Sequence, residues 1–80
     1  MLKLTNFEFF DNILKMVVLI EGDESRAYEI CVDTDSEMFD IVQSDIPDEY
    51  RIYERQAQMA LREYDKQHND LPESITSAWC

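Results

Sequence analysis

Apolar and polar positions alternate with a period of two through much of the first half of the chain, which predicts strands there. Phe7-Glu8-Phe9-Phe10 and the run from Ile13 to Ile20 flank Asp11-Asn12, a short polar pair of the kind that closes a tight hairpin. In the second of these strands Leu14, Met16, Val18 and Ile20 share one face, and Ile13, Lys15, Val17, Leu19 and Glu21 share the other. A strand apolar on both faces belongs in the middle of a sheet. Gly22-Asp23-Glu24-Ser25 contains the only glycine and is a turn signal, after which residues 26–33 read as a strand with Tyr28, Ile30 and Val32 inward. Residues 37–43 fit a strand, with Phe39 and Ile41 inward, or a short helical set of Met38, Ile41 and Val42. Their β-branched and aromatic content favours the strand.

Beyond Pro47 the period changes. Proline followed by Asp48 and Glu49 is a helix opening, because proline is tolerated in the first turn and acids there complement the dipole. The predicted helix runs to about His68, where Asn69-Asp70-Leu71-Pro72 ends it, and Tyr50, Tyr53, Ala57, Ala60, Leu61 and Tyr64 form the stripe that lies on the sheet. Ile75, Ser77 and Trp79 alternate as a short final strand would, with Trp79 packed under the helix. The expected fold is therefore α+β: an antiparallel sheet of three to four strands, one long amphipathic helix and a short C-terminal strand. At 80 residues it forms a single domain, residues 1–80.

Charge changes the picture most. Eighteen acids against seven Lys and Arg give a net charge of −11, which repels phosphate and argues against direct nucleic-acid binding. Residues 21–49 carry Arg26 alone against eleven acids, so nearly all of the net charge sits there. The aromatic content and single glycine exclude a disordered acidic tail. Nothing in the N-terminal residues reads as a secretory signal, and the longest apolar run, residues 16–20, is far too short to span a membrane. The expectation is a soluble cytoplasmic protein without membrane contact. Cys31 and Cys80 are read as one packed thiol and one terminal thiol rather than a bridge.

Catalytic and cofactor chemistry finds no foothold in these residues. Asp33-Thr34-Asp35-Ser36-Glu37 begins like a calcium loop, but Met38 and Ser44 stand where such a loop requires glycine and a bidentate Glu. The only His is His68, with neither a nucleophile nor further zinc ligands near it in sequence. One glycine cannot build a phosphate-binding loop. No enzyme activity, metal or cofactor is expected.

Two surfaces remain. The acids Glu21, Asp23, Glu24, Glu29, Asp33, Asp35, Glu37 and Asp40 would gather like charges on one side and one end of the domain, a field suited to steering onto a basic partner surface. On the outer face of the helix, Arg51, Arg55, Arg62 and Lys66 form a narrow basic band beside Ile52 and Met59; this is either a solvated face or a partner or homodimer surface centred on Arg51, Ile52, Arg55 and Met59. In size, acidity, scarcity of glycine and lack of catalytic residues the chain resembles the small acidic inhibitor proteins of phages and mobile elements, of the anti-CRISPR or DNA-mimic kind. The resemblance implies a stoichiometric blocker that occupies the basic groove of a nucleic-acid-handling enzyme.

Overall fold

In the computed structural model, which describes residues 1–67 and 71–77, the alternating segments form one five-stranded antiparallel sheet. Its strands are β1 (Leu2–Phe10), β2 (Ile13–Ile20), β3 (Ala27–Asp33), β4 (Ile41–Ser44) and β5 (Ser74–Ser77), and helix α1 (Ile52–Gln67) lies between β4 and β5 in sequence. The spatial order is β4-β3-β2-β1-β5. The first four strands form a meander, and α1 carries the chain across one face so that β5 can pair with β1 on the far edge. The α+β expectation holds, as does the central place of β2.

The core lies between α1 and the sheet. Leu2, Leu4, Leu14, Met16, Val18, Ile20, Ile30 and Val32 are fully buried or nearly so, and they meet Ala57, Ala60 and Leu61 from the helix. The tyrosine stripe is half-buried: Tyr50 and Tyr53 pack against this cluster, with Tyr50 between Tyr28 and Tyr53 at ring-centroid distances of 6.3 and 6.0 Å. Because the helix buries mainly alanines, its backbone can approach the sheet closely. Ile52 and Met59 point outward, 59% and 49% exposed, which is the predicted helix orientation.

Three local findings go beyond the sequence reading. Alternation in β1 breaks: Leu2 and Leu4 face the helix, yet Phe7 does too, an odd-numbered position. The register shifts between Thr5 and Glu8, and Asn6 takes a left-handed φ of 56°, so a β-bulge turns Phe7 inward and Glu8 outward. At the other end of β2, Glu21 and Gly22 both have positive φ (55° and 72°), and the Asp23 amide donates to the Ile20 carbonyl at 2.9 Å, closing a tight turn of the kind hairpins favour. The third is a correction to the expected 37–43 strand. β4 begins only at Ile41, because Phe39 has a φ of 54° and breaks the extended chain while its ring still reaches the core. Trp79 and Cys80 lie outside the described residues, as does the predicted helix end at His68; Cys31 is a half-buried free thiol.

Candidate functional site

Strand β3 decides where the acids go. Glu21, Asp23 and Glu24 precede it, while Asp33, Asp35, Glu37 and Asp40 follow it. Six residue steps at about 3.3 Å separate these groups by about 20 Å. The expected gathering at one end is therefore corrected: a seven-residue strand between the two clusters puts them at opposite ends of the sheet. Glu29 stands between them, on the face of β3 turned away from the helix.

The acids also differ in what holds them. Glu21 is engaged inside the molecule: its carboxylate accepts from the Met1 ammonium at 2.9 Å and from the Tyr53 hydroxyl at 2.6 Å. The Tyr53 bond first, then the ammonium, lower its pKa below the ordinary carboxylate value. Asp23 caps the 3₁₀ turn at 24–26 by accepting from the Ser25 hydroxyl (2.7 Å) and amide (2.9 Å), which lower its pKa, and it pairs with Arg26 at 3.6 Å. Glu29 lies 4.0 Å from Lys15, whose closer partner is Glu8 at 3.2 Å. Among the described residues, Glu24, Asp33, Asp35, Glu37 and Asp40 make no ion pair.

These unneutralised acids sit on ordered backbone. The Asp33 carboxylate accepts from the Asp35 amide at 2.9 Å, and the Asp33 amide donates to the Asp40 carbonyl at 2.8 Å, closing the base of the β3–β4 loop. Both the amide and the hydroxyl of Thr34 donate to the Asn12 carbonyl at 2.8 Å, tying this loop to the β1–β2 hairpin tip. The Asp33 to Glu37 segment that opens like a calcium loop is thus a turn closed on its own backbone. Among the described residues no three His, Cys, Asp or Glu side chains come together as a metal site.

The sheet face opposite α1 carries no described helix. Along β2 it presents Ile13, Val17 and the nearly buried Leu19, which lies apart from the main core; along β3 it presents Glu29, Cys31 and Asp33. Register places Val17 beside Glu29 and Ile13 beside Asp33. Lys3 and Lys15 share this face, so its middle is close to neutral and the surplus negative charge lies at its two ends.

The helix-face residues separate as well. Arg51 is tied to Asp48, whereas Arg55 and Arg62 make no ion pair among the described residues. With Gln58, Met59 and Met38 they line a groove of about 360 Å³. Met38 is the wall that the sequence reading missed, since it comes from the β3–β4 loop; the signal was the exposed methionine in a segment read as strand. No described helix is long and apolar enough to cross a membrane. No protein-family model matches this chain, no curated protein is similar to it, and no solved structure matches it.

Proposed function

We propose that this protein is a non-enzymatic inhibitor that binds a basic protein surface, of the kind that otherwise holds nucleic acid, through the acids at the two ends of β3. The observation that supports this reading is the set of carboxylates on ordered turns that make no ion pair among the described residues, Glu24 at one end and Asp33 and Asp35 at the other, with Glu29, 4.0 Å from Lys15, on the strand between. Ordered turns fix the spacing before the partner arrives, so binding loses little loop entropy. A span of about 20 Å between fixed negative ends reaches across a cationic channel rather than a single cation. Glu21 and Asp23 serve the fold through their bonds to Tyr53, the Met1 ammonium and Ser25. Val17, half-buried beside Glu29, supplies apolar contact within the same footprint.

The test uses two neutralised sets that change the net charge of −11 equally: Glu24→Gln, Glu29→Gln, Asp33→Asn and Asp35→Asn against Asp11→Asn, Asp45→Asn, Glu49→Gln and Asp65→Asn. Capture from nuclease-treated extract at low and high salt is the assay. The first set abolishes capture of a nucleic-acid-binding protein and the second retains it. Equal losses from both sets would leave net charge alone as the cause and refute a defined site.

A further inference from the structure

On the outer side of α1, Arg55, Met59 and Arg62 follow one another at spacings of four and three residues, so they stand in one row about 10 Å long. Met59 is 49% exposed, and across from the row stands Met38 on the β3–β4 loop, 52% exposed. With Gln58 these residues line the groove of about 360 Å³. The loop wall is fixed. The Phe39 amide donates to the Ser36 carbonyl at 3.0 Å, the Gln58 side-chain amide donates to the Phe39 carbonyl at 3.1 Å, and the Phe39 ring packs against the core. Among the described residues no carboxylate lines the groove. In a chain with 18 acids and seven Lys and Arg, Arg55 and Arg62 nevertheless make no ion pair among the described residues. Glu54, the acid next to Arg55, is turned towards β4, where its carboxylate accepts from the Ser44 hydroxyl at 2.7 Å.

Two cations with apolar side chains between them are matched by the inverse pattern in an occupant. We propose that this groove docks a short acidic, amphipathic helix of a partner protein, whose apolar side chains enter between Met38 and Met59 and whose carboxylates pair with Arg55 and Arg62. A helix laid along α1 repeats its pitch, so acids at positions i and i+7 meet the two arginines while apolar residues at i+3 and i+4 fall on the methionines. Each guanidinium presents a planar fork that fits a carboxylate. Methionine suits the middle, because an unbranched, polarisable side chain adapts to irregular shapes. A basic or neutral segment would cover the arginines without pairing them. A nucleic-acid backbone carries charge well past the groove and there meets the negative field of a chain at −11, whereas a short segment with two acids does not overhang it. Glu29 and Asp33 lie on the opposite face of the sheet, so this docking does not rest on the function proposed above.

The four methionines, Met1, Met16, Met38 and Met59, give the experiment its own controls, since only the last two line the groove. The probe is a synthetic alanine-based helical peptide of about 15 residues with Glu at i and i+7 and Leu at i+3 and i+4. It is titrated into protein labelled with carbon-13 at the methionine methyls, and their resonances are followed by NMR. The Met38 and Met59 signals shift and saturate below about 1 mM peptide, while those of Met1 and Met16 stay in place. A peptide with Gln in place of both Glu binds at least tenfold more weakly. Arg55→Gln with Arg62→Gln weakens binding of the acidic peptide by at least tenfold; Lys3→Gln with Arg26→Gln, which takes the net charge from −11 to −13 equally, leaves it unchanged. Circular dichroism establishes that each variant is folded. Absence of any shift at millimolar peptide, equal shifts from the Gln peptide, or equal losses from the two variants would each overturn the proposal. So would Met38 and Met59 shifts produced by a single-stranded oligonucleotide, which would assign the groove to nucleic acid, or by raising the concentration of the protein alone, which would assign it to a second copy.

Discussion

Replacing Leu61 by alanine removes the one large aliphatic side chain that α1 buries fully against the sheet, 3% exposed between the shorter Ala57 and Ala60. Three carbons leave the core, and at about 0.8 kcal/mol each their transfer amounts to about 2.4 kcal/mol. Neither alanine can reach into the space, and the strands below are held by their ladders, so the cavity collapses only in part and adds about 1 kcal/mol or more. The expected loss is about 3–4 kcal/mol, a large share of the roughly 4–12 kcal/mol that a domain of this size commands. Met59→Ala, on the exposed face of the same helix, should cost under about 1 kcal/mol in the monomer. Urea melts followed by circular dichroism at low protein concentration compare the two directly. A Leu61→Ala loss below about 1 kcal/mol, or a Met59→Ala loss equal to it with no dependence on concentration, would mean that the helix does not pack by the Ala57–Ala60–Leu61 face.

Asn6→Gly should leave stability within about 0.5 kcal/mol, whereas Asn6→Val, a β-branched residue forced to a φ of 56°, should cost about 2 kcal/mol in the same melts. Ser44→Ala removes a hydroxyl that donates to Glu54 at 2.7 Å and accepts from the Ile46 amide at 3.1 Å; losing this link between β4 and α1 should cost about 1–2 kcal/mol. The lowered pKa of Glu21 means that its bonds to Tyr53 and the Met1 ammonium support the fold above its unfolded pKa and fade as pH falls through the folded value. The wild type should therefore melt above Glu21→Gln at neutral pH and the two should converge in acid; a gap that stays constant with pH would contradict the assignment.

Much of this architecture is legible because period-two and helical patterns report which faces must be buried. The β1–β2 hairpin, both faces of β2, the inward Tyr28, Ile30 and Val32, and the outward Ile52 and Met59 follow from such patterns. The bulge at Asn6 is written as a change of phase, from Leu2 and Leu4 to Phe7, and becomes visible only once Phe7 is required to face the helix. The late start of β4 escapes pattern reading because Phe39 does what a strand residue would do, burying its ring, from a left-handed backbone. Closeness in sequence misled on the acids, since a strand of seven residues carries neighbours in the chain to opposite ends of a sheet. The Met38–Met59 groove joins residues 21 positions apart through the helix packing, a juxtaposition that no local pattern records.

Competition for the partner's nucleic-acid site tests the central claim most directly. The protein captured by this chain is loaded with its own labelled nucleic acid, and the chain is titrated in while fluorescence anisotropy follows the label. Displacement of the nucleic acid is predicted, with the Glu24, Glu29, Asp33 and Asp35 neutralised set unable to displace it and the Asp11, Asp45, Glu49 and Asp65 set as effective as the wild type. A stable ternary complex of partner, nucleic acid and this chain would contradict the account, because the acidic ends of β3 would then not occupy the groove that nucleic acid fills.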